Sequence, residues 1–126
     1  MLSKKSIAKK YLDHLQSGDL EQLLDLFSEN ATVDSPIYGV QIALDFFHDL
    51  LTDTQSSELE LLGIFEEEGG NNLALYFTYK WTLKNGEIVS FEVVDIMEFD
   101  ASQKISTLKI IYDTVTARSL VKQLKD

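Results

Sequence analysis

The sequence predicts an α+β fold, in which three N-terminal helices are followed by a long antiparallel meander. Two observations carry this prediction. Up to residue 52, apolar residues recur mainly at the three-to-four-residue spacing of amphipathic helices, and from residue 57 onward they alternate with polar residues as in strands. The length of 126 residues and the 44% hydrophobic content fit one domain, residues 1–126, with its own core.

Composition narrows the classes of function. The net charge of −10 and the single arginine, Arg118, argue against a nucleic-acid partner, because such a surface repels phosphate backbones. The chain has no cysteine, and its two histidines lack a carboxylate at ligand spacing, so we expect no metal. No apolar run approaches the ~20 residues of a membrane helix, and the N-terminus lacks the apolar stretch of a signal peptide. We therefore expect a cytoplasmic protein without a membrane partner.

The first two helices are separated by a Gly–Asp break. Residues 4–17 form the first, with Ser3 able to cap its start and Gly18 its end. Asp19 is a plausible N-cap for the second, whose apolar face extends to Phe27.

A short strand over residues 31–35 follows and is closed by Pro36, the only proline. Residues 41–52 form a third helix. Its apolar face is too broad for a helix with one side in solvent, so we expect it to pack on two sides. The meander is then predicted as four strands over residues 57–70, 72–83, 87–100 and 104–114. A helix over residues 117–125 closes the chain.

The length of the loop at residues 84–86 determines whether the apolar rows of the two flanking strands lie on the same face of the sheet. A two-residue turn at Asn85 and Gly86 would put the apolar rows of the flanking strands on opposite faces, whereas a three-residue loop with a left-handed Gly86 puts them on one. We therefore predict the three-residue loop, which places Leu75 roughly opposite Asp95. Asp95 then lies on the apolar face of a central strand, where a carboxyl must be hydrogen-bonded, paired or protonated.

The chain resembles the ketosteroid isomerases and the wider nuclear transport factor 2-like superfamily, which includes the SnoaL-like cyclases. The resemblance covers nearly the whole sequence and rests on KKYLDHLQSGDLEQLLDLFSENATVDSPIYG (9–39), VVDIMEFD (93–100) and KISTLKIIYD (104–113). It implies a cone-shaped curved antiparallel sheet wrapped around the three helices, with a pocket at its open end and no cofactor. It also implies homodimers formed through the outer sheet face, which carries Thr78, Lys80, Thr82, Val94, Ile96, Lys109 and Ile111.

Ketosteroid isomerases place a tyrosine and a protonated aspartic acid in an oxyanion hole and use a second aspartate as base. By resemblance, the tyrosine falls on Tyr11 and the oxyanion acid on Asp95. The base should directly precede Pro36, but that residue is Ser35, and strand alternation turns Asp34 to the other face. The resemblance thus implies the oxyanion half of the mechanism without its base.

Other candidates come from the faces of the predicted elements. His14 lies three residues after Tyr11 and could be a general base or a partner of Asp95, or a histidine at the boundary of the core. Tyr11 and Asp95 could likewise be core residues. The residues expected to line a ligand pocket, or else to fill the core, are Ser35, Phe46, Phe77, Tyr79, Trp81, Phe91 and Tyr112.

Two functions remain open at this stage. The first is a domain that binds a small, mostly apolar molecule. If it is an enzyme, it would be a cofactor-free isomerase, cyclase or dehydratase in which Tyr11 and Asp95 polarise a carbonyl while His14 or Asp95 moves the proton. The second is a non-catalytic ligand-binding or dimerisation module, which the missing base favours. Epoxide hydrolase chemistry is not expected, because Val93 stands two residues before Asp95, where that activity would need an arginine.

Overall fold

The computed structural model describes residues 2–125 and confirms the α+β class. Within these residues the helices are α1 (Lys4–Ser17), α2 (Leu20–Asp25), α3 (Ala43–Thr52) and α4 (Val115–Lys125). The strands are β1 (Phe27–Ser35), β2 (Gly39–Ile42), β3 (Thr54–Glu66), β4 (Asn72–Leu83), β5 (Ile88–Phe99) and β6 (Ile105–Ile111). No helix between residues 2 and 125 is long and apolar enough to cross a membrane.

The six strands form one curved, unclosed sheet in the order β2-β1-β6-β5-β4-β3, and the buried residues of the helices join its inner face in a single core. Every neighbouring pair is antiparallel except β1 and β6, which run parallel. The prediction of a purely antiparallel sheet missed this pair. Parallel neighbours need a long connection rather than a hairpin, and here the chain from β2 to β5 supplies it.

The predicted first helix and its caps are confirmed. The Ser3 hydroxyl accepts a hydrogen bond from the backbone N–H of Ser6 at 3.1 Å, and Gly18 ends α1 in the left-handed conformation at φ 71°. The Asp19 carboxylate caps α2 by accepting from the N–H of Gln22 at 3.1 Å. These caps end α1 and begin α2 within two residues, so the two helices are neighbours.

Two helix boundaries differ from the prediction because strand pairing overrides helical periodicity. Phe27 does not extend the second helix but begins β1, where it pairs with Ile105 of β6. The third helix begins at Ala43 rather than at residue 41, because residues 39–42 pair with β1 as the unpredicted strand β2.

The predicted three-residue loop between β4 and β5 is confirmed. Gly86 is left-handed at φ 89°, and the N–H of Leu83 donates to the carbonyl of Glu87 at 2.8 Å. In this register Leu75 pairs with Asp95, so Asp95 faces the helices rather than solvent.

Candidate ligand-binding site

A mostly apolar cavity lies between the helices and the inner face of the sheet. Its volume is about 40 Å³, enough for roughly three water molecules. Its lining includes every residue that the sequence suggested for the site except His14. The lining residues are Tyr11, Leu15, Ser35, Tyr38, Phe46, Leu50, Phe77, Tyr79, Trp81, Phe91, Val93, Asp95, Ile110 and Tyr112.

Stacked rings from β4, from β5 and from the residue after β6 form one wall of the cavity. Phe91 lies between Tyr112, with ring centroids 4.4 Å apart, and Tyr79, at 5.5 Å. Trp81 continues the row at 6.1 Å from Tyr79, and its indole N–H donates to the Thr54 hydroxyl at 2.7 Å. The row therefore offers a ligand an aromatic, apolar surface with few unsatisfied polar groups.

Asp95 is the one carboxyl in the cavity lining. It lies on β5 between Leu75 of β4 and Ile110 of β6 and is 1% exposed. Neither of its carboxyl oxygens has a hydrogen-bond partner of good geometry among residues 2–125. Burial raises the pKa of Asp95 to about 8, against a smaller opposing effect of the Tyr11 hydroxyl. At pH 7 this carboxyl is therefore mostly protonated and can donate a hydrogen bond.

Tyr11 reaches the cavity from α1. Its ring packs against Phe27 and Phe47, with centroids 6.3 and 6.2 Å away, and the residue is 1% exposed. Burial and the neighbouring Asp95 carboxyl raise the pKa of the Tyr11 hydroxyl well above its ordinary value. The hydroxyl therefore keeps its proton and lies beside Asp95.

The corner before Pro36 contains no carboxylate that faces the cavity. Ser35 is buried and lines the cavity, while Asp34 is exposed on the opposite side of β1, as strand alternation predicted. The Ser35 hydroxyl oxygen accepts a hydrogen bond from the backbone N–H of Tyr38 at 3.1 Å. This serine holds the turn and leaves its own proton available, but it cannot replace a carboxylate base.

His14 does not belong to the candidate site. It is half-buried on α1 and is absent from the cavity lining, where Leu15 accompanies Tyr11 instead. The reason is helix geometry, because the residue four positions after Tyr11 shares its inner face more closely than the residue three positions after it. The structure therefore does not bring His14 together with the residues that line the cavity, and its role as a base or as a partner of Asp95 stays a prediction.

Sequence reasoning missed Tyr38 and Asp53. Tyr38 follows Pro36 in a turn and lines the cavity, and its hydroxyl donates to the Asp53 carboxylate at 2.6 Å. No periodicity applies to a residue in a turn, so the sequence carried no signal for where Tyr38 points. Within residues 2–125, no group of three or more histidine, aspartate or glutamate side chains could hold a metal ion.

Residues 8–107 match the SnoaL-like domain family, and the chain belongs to this family. No curated protein matches the sequence.

Solved structures of the same fold are similar over most of the chain. An NTF2-like protein of unknown function from Burkholderia pseudomallei K96243 has a TM-score of 0.82 at 17% identity, covering 96% of this chain and 98% of its own. PrhC from Penicillium brasilianum has a TM-score of 0.80 at 16% identity, with 97% and 87% covered. SalBIII, an epoxide hydrolase/cyclase-like enzyme with a role in pyran ring formation in salinomycin, has a TM-score of 0.76 at 19% identity, with 87% and 90% covered. At these identities the likeness concerns the fold alone.

Proposed function

We propose that this domain binds a small, mostly apolar carbonyl compound in the cone, with Tyr11 and protonated Asp95 donating hydrogen bonds to its oxygen. The observation that carries the proposal is the Asp95 carboxyl, which is 1% exposed, borders the cavity and has no hydrogen-bond partner of good geometry among residues 2–125. An unsatisfied buried polar group costs free energy, and a ligand oxygen would recover part of that cost. The stacked rings of Tyr79, Phe91 and Tyr112 supply an apolar surface for the rest of the compound.

If the domain is an enzyme, we infer a cofactor-free isomerase, cyclase or dehydratase step in which Asp95 itself moves the proton. For an isomerisation, ionised Asp95 would take a proton from the carbon beside the carbonyl, and the C–H electron pair would form an enolate whose oxygen accepts from Tyr11. In a substrate with a double bond next to that carbon the enolate is a dienolate, and the same carboxyl would return the proton to its far carbon, which shifts the double bond. With a pKa of about 8, roughly a tenth of Asp95 is ionised at pH 7.

The alternative is a non-catalytic ligand-binding module of the same fold. Ser35 favours it, because this neutral side chain occupies the slot in which the resemblance places a base. The enzyme and the binding module require different protonation states of Asp95. Binding needs the protonated carboxyl and weakens as pH rises above 8, whereas proton abstraction needs the ionised form and accelerates over the same range.

Acetophenone and ethylbenzene form a matched pair of probes, because they have similar size but only acetophenone has a carbonyl. We expect Tyr11→Phe to weaken acetophenone binding by about 5-fold, through the loss of one hydrogen bond worth about 1 kcal/mol, and to leave ethylbenzene unchanged. The fluorescence of Trp81, the only tryptophan and a cavity residue, reports binding. Equal weakening of both probes, or of neither, would contradict the carbonyl site. Asp13→Asn, an exposed change two residues away on α1, is the control.

We further propose a homodimer through the outer face of the sheet. Support comes from the apolar side chains that face outward in adjacent positions of β4, β5 and β6, among them Tyr76, Val94, Ile96 and Ile111. Each is at least partly exposed in the single chain, with Ile111 48% exposed. Neighbouring exposed apolar side chains of this kind favour an interaction surface.

We expect Ile96→Glu to convert the dimer into a monomer, because burying the new charge in the interface costs more free energy than its pairing with the cross-strand Lys109 recovers. Light scattering after size-exclusion chromatography would give twice the chain mass of 14.3 kDa for the wild type and 14.3 kDa for the variant. Thr116→Glu adds the same charge on the exposed side of α4 and should leave the mass unchanged. A wild-type chain that is monomeric at high concentration would refute the dimer.

A further inference from the structure

A buried carboxylate that the proposed function does not use lies beside the cavity. Asp53 follows α3 as its C-cap residue and is 4% exposed. Its Oδ2 accepts from the Tyr38 hydroxyl at 2.6 Å, and its Oδ1 accepts from Nζ of Lys125 at 2.6 Å. These three side chains, named here the Asp53 latch, join the end of α3, the turn after β1 and the C-terminal helix at one point.

Tyr38 is the member of the latch that forms part of the cavity wall. Its ring meets Phe46 edge-on with centroids 5.8 Å apart, and its backbone N–H donates to the Ser35 hydroxyl. Tyr38 is partly exposed, as are the lining residues Phe91 and Tyr112. These three rings therefore mark the place where the cavity approaches solvent.

Helix α4 contacts both this turn and Asp53. The Arg118 guanidinium donates to the carbonyl oxygen of Pro36 at 2.7 Å, and Lys125, two turns further along the helix, contacts Asp53. On the same helix Ala117 and Val121 are buried. The position of the turn that carries Tyr38 is thus coupled to the docking of the C-terminal helix.

We propose that Tyr38 is the gate of the cavity, and that Asp53 is the positioning residue that keeps this gate closed, with Lys125 as its counter-charge. With Tyr38 in place the cavity holds roughly three water molecules, which is too little for any ring compound. A ring compound can enter only when the cavity widens, and moving the Tyr38 ring to widen it breaks a charge-assisted hydrogen bond to Asp53. The inference concerns access to the cavity and does not depend on which compound binds there.

Acrylamide quenching of Trp81 fluorescence tests the gate without a ligand. Trp81 is the only tryptophan, is 2% exposed and lines the cavity, so a small neutral quencher reaches it chiefly when the gate is open. We expect Tyr38→Phe and Asp53→Asn to enlarge the open population roughly tenfold, as the loss of one hydrogen bond to a charged group implies, and to raise the quenching constant accordingly.

Lys125→Met separates gating from a general loss of stability. It keeps the apolar stem of the side chain, removes the charge and leaves the Tyr38–Asp53 hydrogen bond in place, so we expect a smaller rise in quenching. In the wild type, added NaCl should increase quenching by screening the pair of Lys125 and Asp53, and Lys125→Met should abolish this dependence. Lys122→Met, an exposed lysine on the same helix, should behave like the wild type.

The proposal is wrong if Tyr38→Phe and Lys125→Met, both with wild-type melting temperatures, are quenched like the wild type. It is also wrong if Lys122→Met raises quenching as much as Lys125→Met, because α4 would then be loosened as a whole. Should Asp53→Asn unfold, the decision rests on the other two variants. A failed carbonyl test with acetophenone would leave this result standing, and a failed gate would leave the carbonyl site standing.

Discussion

Asp95→Asn is expected to stabilise the protein most at alkaline pH and to remove much of the fall in stability between pH 4 and pH 8. The pKa of Asp95 rises from 3.8 to about 8 on folding, so the folded state binds more protons than the unfolded state between these values. The free energy of unfolding therefore decreases by about 1.4 kcal/mol for each pH unit in this window, or about 6 kcal/mol in all. Below pH 4 the contribution is fully present, and above pH 8 it is lost.

Urea denaturation at several pH values would measure this difference between the wild type and Asp95→Asn. The exposed carboxyl of Asp34 provides the control, because Asp34→Asn removes the same charge without a change in burial. If the stability of the wild type and of Asp95→Asn changes with pH in parallel, the pKa of Asp95 does not rise on folding. The carboxyl would then be ionised at neutral pH and could not be the protonated donor of the proposed site. The same substitution should also remove the pH dependence of acetophenone binding above pH 8.

Phe47→Ala is expected to reduce the free energy of unfolding by about 3–5 kcal/mol, the cost of removing a fully buried aromatic ring. Phe47 is 0% exposed and packs against Phe46, Phe27 and Tyr11, with ring centroids 4.9, 5.3 and 6.2 Å away. The cavity left by the ring borders Tyr11, which would lose part of the packing that holds its hydroxyl beside Asp95. We therefore expect weaker acetophenone binding even under conditions where the variant is folded.

Leu44→Ala in the same helix is the matched control, because Leu44 is 51% exposed. Its free energy of unfolding should lie within about 0.5 kcal/mol of the wild type. Urea titration measures both variants. A loss below about 1 kcal/mol for Phe47→Ala would mean that the neighbouring rings collapse into the vacated space, and that Tyr11 is not held by this cluster.

The positions of the candidate donors could be predicted because each depends on local rules. Tyr11 faces inward because of helical spacing, and Asp95 faces inward because the 84–86 loop fixes the register of β4 and β5. Ser35 and Asp34 face opposite ways because successive residues of a strand alternate. His14 lies outside the cavity lining because three-residue spacing on a helix allows two neighbouring faces, and local periodicity does not choose between them.

By itself the sequence determined the α+β class, the caps of α1 and α2, the β4–β5 register and the burial of Asp95, since all of these follow from spacing and turn chemistry within short segments. Only the tertiary structure decided the parallel pairing of β1 with β6, the cavity beside Asp95 and the Asp53 latch. Asp53 and Lys125 are 72 residues apart in sequence. Such contacts arise from the way whole elements pack, and no local pattern encodes a partner at that distance.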